Sequence, residues 1–176
     1  MLFSDRSLWT MLHGLLLSGG ALVLLVTALY SLRVMAAPEG AAVPARQSAA
    51  VSWLIVAAAA LLWMSVFGGT YIVFPMYRAT PPEGVAALAD YPRALLMSNP
   101  DTRWLHAFGM EIKEHMPWIA AMLATAAAFG ARRHRATLLT DPSVRRVTSS
   151  LLTVALVLAS GVALLGVFVN KVAPLW

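Results

Sequence analysis

The chain has 176 residues, 60% of them hydrophobic and only 12% charged, with a mean hydropathy of +0.73 and a net charge of +5. That balance exceeds what a soluble domain of this length carries and implies an integral membrane protein. The absence of cysteine excludes disulfides, thiolate nucleophiles, iron–sulfur clusters and haem attached through Cys-x-x-Cys-His, so any metal has to be held by His, Met, carboxylate or backbone.

Four apolar runs, near 8–32, 51–75, 104–130 and 147–169, are long enough for the roughly 20 helical residues that cross a bilayer. They predict an all-α, single-domain transmembrane four-helix bundle with the lipid bilayer around it. The first run carries His13 and the small residues Gly14, Ser18, Gly19 and Gly20. It ends in "VMAA", which loosely resembles a signal-peptide cleavage site. Its apolar core is about twice the usual 7–15 residues, and it is read as a retained span. A Pro- and Ala-rich turn leads to the second run, which carries Gly68, Gly69, Thr70 and Tyr71 near its end. The segment 76–103, with its prolines and alternating charges, reads as an exposed cap holding one short interfacial helix.

The third run opens on "HAFGMEIKEHM", 106–116, two histidines, two glutamates and a lysine in a segment that otherwise reads as membrane. Pro117 removes an amide donor and crowds the carbonyl of Lys113, which predicts a kink there. In the next loop, "TDPSVRR" marks a helix start, with Asp141 as N-cap and Pro142 at the first helical position. The fourth run carries Ala159, Ala163 and Gly166 as packing surface and closes on Asn170 and Lys171.

Orientation follows from the third loop, whose Arg132, Arg133, Arg135, Arg145 and Arg146 belong on the cytoplasmic side by the positive-inside rule. Both termini and the segment 76–103 then face outward, as expected of a multi-pass protein of a bacterial inner membrane. Trp9, Trp104 and Trp176 fall at outer ends, where interfacial anchors sit. The loop arginines are accounted for by topology and anionic headgroups, and no nucleic-acid partner is expected.

With this topology every run brings a polar group into the outer half of one bundle. His13, Thr70 and Tyr71 lie about five residues inside it, His106 sits near the outer start of the third run, and Glu111, Lys113, Glu114 and His115 go progressively deeper. At about 100° per residue, His106, Met110, Lys113 and Glu114 share one broad face, while Glu111 and His115 form a second column. The two columns cannot point at one atom.

Four chemistries suit such a set. Haem b needs two imidazoles at similar depth on facing helices, which designates His13 and His106 as axial ligands. His115, about 13 Å further along than His106, is the substitute. Tyr71, Glu111, Glu114 and Lys171 then surround the cofactor and tune it or conduct protons. A non-haem metal could use Glu111 with His115, or His106 with Met110, completed by His13. A quinone site could use Tyr71, His106 and Glu111. Alternatively the cluster holds no cofactor and mates with other subunits of a larger membrane complex, Lys113 between Glu111 and Glu114 lowering the cost of burial. Against all four stands a polar core of hydrogen-bonded histidines. The leading expectation is a membrane subunit of a bacterial electron-transfer complex that binds haem b, more a redox or accessory subunit than an autonomous enzyme.

The stretches "LHG", "GTYIVFPMYR", "WLHAFGMEIKEHMPW" and "FVNKVAP" together resemble a family of small bacterial four-span membrane proteins with no assigned activity. The resemblance covers most of the chain and implies a four-helix membrane bundle. It marks His13, Tyr71, His106, Glu111, Glu114, His115, Asn170 and Lys171 as motif positions, and it supplies neither cofactor nor reaction. Similarity to b-type cytochrome membrane subunits is limited to architecture and histidines.

Overall fold

Long apolar stretches broken by Pro, Gly and charge fold into four long helices and one short one in the computed structural model, which describes residues 4–174. We label them α1 (Asp5–Val34), α2 (Ala45–Tyr77), α3 (Pro92–Ser98), α4 (105–133) and α5 (Pro142–Val172). No strand occurs among the described residues. α1 starts where Ser4 Oγ accepts the Ser7 amide, and α5 starts where Asp141 Oδ1 accepts the amides of Ser143 and Val144 at 2.8 and 3.2 Å. Trp176 lies outside the described residues, while Trp9 and Trp104 are exposed near the ends of α1 and α4 that meet α2's C-terminal turn.

α1, α2 and α5 are long and apolar enough to cross a membrane. α4 is of similar length but is not among them, because Glu111, Lys113 and Glu114 near one end and Arg132 and Arg133 at the other dilute its apolar run. The expectation of four equivalent spans is therefore met as four long helices, of which three have the composition of a span.

The chain runs up and down. At one end the Ala37 amide donates to the Leu139 carbonyl at 2.9 Å, tying the first loop to the third. At the other, the Arg6 guanidinium reaches the Pro174 carbonyl at 3.4 Å, bringing the two ends of the chain together. The loop end holds a dry core of small residues. Ala120, Ala121, Ala124, Ala127, Ala128 and Ala131 of α4 pack against Ala21, Leu25 and Ala28 of α1, Ile55, Ala58 and Leu62 of α2 and Leu152 and Ala155 of α5. Alanine at three- and four-residue spacing lets helix backbones approach closely. The terminal end has a separate small apolar cluster of Tyr77, Leu96, Leu105, Met110, Val169 and Ala173, with α3 supplying Leu96 as its lid.

Toward the terminal end the helices change winding. Leu12–Ser18 of α1, Gly69–Val73 of α2 and Leu105–Met110 of α4 have the wider turns of a π-helix. Pro75 explains the second: it lacks the amide that would close an ordinary turn onto Tyr71. Each segment also contains a glycine. The helix passes through Pro117 without interruption, so the irregularity of α4 lies one to two turns before the position where proline predicted it. Single π turns in long helices concentrate at functional sites, and these three hold His13, Tyr71 and His106.

Candidate functional site

The wide turn of α1 turns His13 toward α2. There its ring lies directly on Gly69: a Cβ at that position would fall 2.7 Å from His13 Cε1, closer than real Cβ contacts come. Two serines hold the ring. Ser18 Oγ donates to the His13 carbonyl at 2.8 Å and lies 2.6 Å from Ser65 Oγ, which in turn lies 3.4 Å from His13 Nδ1. The proton count closes this loop in one direction. Ser18 has given its only proton to the carbonyl, so Ser65 donates to Ser18, and Ser65 Oγ accepts from Nδ1–H. The ring also bonds the backbone of Ser65, and with Nδ1–H turned to Ser65 the neutral imidazole keeps Nε2 as its acceptor nitrogen.

His13 also lines a cleft of about 410 Å³ between α1 and α2, walled by Trp9, Leu17, Met64, Phe67 and Tyr71. The wall is nearly all apolar. Phe67 and Tyr71 stack along it with ring centroids 6.2 Å apart, and Tyr71 is 67% exposed. On the interior side, Lys113 of α4 is near enough for its charge to act on His13. Its Nζ lies against the backbone of α5 at Gly166, where a Cβ would come within 3.1 Å of it. The ammonium makes no hydrogen bond or ion pair among the described residues. One layer thus takes His13, Ser65 with Gly69, Lys113 and Gly166 from the four long helices in turn.

His106 belongs to a different layer. Tyr77 Oη lies 2.9 Å from its Nδ1, and Arg93 Nε donates to its Nε2 at 3.3 Å. Arginine can only donate, so Nε2 is the acceptor and Nδ1–H donates to the phenol. Both nitrogens are engaged. The charges of Arg93, Arg78 and Glu114 bear on this pair. Since Gly69 and Tyr77 are about two turns apart on α2, His13 and His106 meet that helix at levels roughly 12 Å apart. Lys113, not His106, shares the level of His13.

The remaining predicted residues scatter. Glu111 and His115 are 68% and 69% exposed; His115 Nδ1 lies 2.8 Å from the Glu111 carbonyl and 4.0 Å from its carboxylate. This column faces away from the bundle, in a different direction from Lys113 and Met110. Met110 is buried in the apolar cluster beside Tyr77. Lys171 lines a second cleft with Asp101 and Trp104. No group of three or more His, Asp or Glu residues able to hold a metal occurs among the described residues.

Ser65, Tyr77 and Arg93 are the partners that sequence reasoning missed. Tyr77 stood inside the quoted "GTYIVFPMYR", where Tyr71 drew attention instead; burial separates the two, Tyr77 being inside and Tyr71 outside. Tyr77→Phe is expected to lower stability by about 1 kcal/mol, a fall in Tm of about 2–4 °C in a detergent melt, because His106 Nδ1–H loses its acceptor. It should leave the His13 layer intact.

Comparison with known proteins adds no relative: no family model, curated protein or solved structure matches the chain.

Proposed function

We propose that this chain is a four-span subunit of a membrane electron-transfer complex and that it binds a quinol-class ring in the cleft beside His13. The observation that carries the reading is the seat of His13: an imidazole fixed by Ser65 and Gly69, with Nε2 as its acceptor nitrogen, lining an apolar cleft of ligand size. A quinol offers that cleft a flat apolar body and one hydroxyl for Nε2. Trp9, Phe67 and Tyr71 pack on the ring, and Lys113 stabilises negative charge as the hydroxyl proton leaves for His13.

Several features support insertion as four spans. α4 packs among three helices that have the composition of spans, and its charged residues sit near its ends or face the bundle, apart from Glu111 and His115. Large apolar side chains lie exposed around the bundle, among them Leu15, Val23, Phe129, Val157 and Val167, as on a lipid-facing surface. The arginines of 132–146 set the loop end in the cytoplasm and both termini outside, in a bacterial inner membrane. The exposed Glu111–His115 column favours a subunit over a solitary protein, since ionisable groups on the outside of a membrane helix call for a covering partner.

Haem b at His13 is the second reading, and the same nitrogen favours it: an imidazole whose Nδ1–H is held by Ser65 presents Nε2 as a ligand. His106 then joins as second ligand only by giving up Arg93 at Nε2, or Tyr77 at Nδ1, and by closing the difference in level between the two histidines.

One sample separates the readings. After alkaline carbonate washing, the protein is purified in detergent, its reduced-minus-oxidised spectrum recorded, and its organic extract analysed for quinones. The expected result is retention in the membrane, near-stoichiometric quinone and no haem bands. Sharp reduced bands with stoichiometric iron overturn the quinol in favour of haem. A colourless, quinone-free protein overturns both and leaves the cofactor-free subunit.

A further inference from the structure

The terminal end of α5 carries a second cleft, of about 340 Å³, against the start of α4. Its upper wall is the turn at Asp101 and Thr102, and its lower wall is apolar, built from Trp104, Leu105, Phe168 and Val172, with Lys171 beside it. Two exposed residues of opposite charge therefore border one small, largely apolar cleft. They do not use each other: no ion pair joins Asp101 and Lys171 within 4.0 Å, and Lys171 has no hydrogen-bond partner among the described residues. Nor does the Asp101 carboxylate bond elsewhere among the described residues; only its amide is engaged, donating to Asn99 Oδ1.

A ligand that engages both charged residues presents a negative group to Lys171, a positive group to Asp101, and apolar chains to Phe168 and Val172. Resting on the membrane reading above, we infer that the cleft holds the headgroup of a phospholipid with a primary amine, of the phosphatidylethanolamine class. Its phosphate meets the Lys171 ammonium and its amine donates to the Asp101 carboxylate. Its glycerol lies beside Trp104, at the depth where tryptophan marks the membrane interface, and its acyl chains descend along Phe168 and the exposed face of α5. Charge selects between lipids. A purely anionic headgroup satisfies Lys171 but brings negative charge to Asp101. A trimethylated amine keeps the charge and loses every N–H donor.

The test is native mass spectrometry of the delipidated full chain, titrated in detergent with phosphatidylethanolamine, phosphatidylcholine and phosphatidylglycerol of identical acyl chains. The ethanolamine lipid is expected to be retained roughly threefold or more above either other lipid, the size of effect that a partly exposed charge pair gives. Asp101→Asn should bring the ethanolamine and glycerol lipids level, and Lys171→Gln should weaken both. Equal retention of all three lipids by the unaltered protein overturns the headgroup assignment while leaving the membrane reading standing, and needs no variant to fold. Stronger retention of the glycerol lipid overturns it equally. A protein that stays monodisperse without detergent and retains no lipid overturns the membrane reading and the site together.

Discussion

Gly69→Ala should empty the cleft beside His13 of the ring proposed to bind there. The added methyl falls 2.7 Å from His13 Cε1 and 3.2 Å from Nε2, so the imidazole has to leave its seat. The ring cannot slide away freely, since Ser65 holds Nδ1 and Ser18 holds the His13 carbonyl. Overpacking of this kind costs about 1–3 kcal/mol. Any part of that borne by the ligand-binding arrangement weakens retention of the ring by about tenfold per 1.4 kcal/mol. The measurement is quinone per protein after purification, with a thermal melt on the same sample. Gly68→Ala is the matched control, because its methyl would meet only Leu17 Cδ1, at an ordinary 3.7 Å. Loss of quinone in Gly69→Ala but not in Gly68→Ala is the expected pattern. Equal retention in both would show that His13 is not where the ring binds.

The control matters because neighbouring glycines look identical in the sequence. Gly68 and Gly69 both read as helix-packing surface, and only the facing residue distinguishes them: a leucine methyl for one and an imidazole for the other. The same holds for much of the site. Hydropathy made the long helices of the bundle legible, and helical angles separated the exposed Glu111–His115 column from the inward Lys113 and Met110. Depth along α4 was less legible. Counting residues from expected ends placed His13 level with His106, whereas the chain pairs His13 with Gly69 and His106 with Tyr77. The three π turns shift the rotational register of α1, α2 and α4, and a one-residue insertion of that kind carries no hydropathy signal. The hydrogen-bond partners Ser65, Tyr77 and Arg93 come from other elements and depend on that register, so spacing within one helix could not find them.

Lys113 gives the second large effect, with opposite signs for stability and function. An ammonium facing a bundle interior, with no acceptor or carboxylate beside it among the described residues, is a destabilising choice; the cost reaches about 2.5–3.5 kcal/mol for Lys at the middle of a spanning helix and is smaller toward an end, where Lys113 lies. Its neighbours do not relieve it. Glu111 points out of the bundle, and Glu114 bears on Tyr77 and His106. Lys113→Met keeps the length of the side chain and the space that Gly166 provides for it. It is therefore expected to raise stability by about 1–3 kcal/mol, the range in which apolar replacements of buried charge stabilise other proteins. A thermal melt in detergent should show this as a gain of several degrees. The same variant should lose quinone or turnover, because the charge that acts on His13 is gone. If the variant instead melts lower, Lys113 has an acceptor in the native membrane that this chain does not supply, and the argument for an unpaired internal cation fails. If it melts higher with the ring fully retained and turnover unchanged, the lysine is no part of the His13 site. Only the combination of a firmer fold and a weaker site fits a charge kept in the bundle for the chemistry beside it.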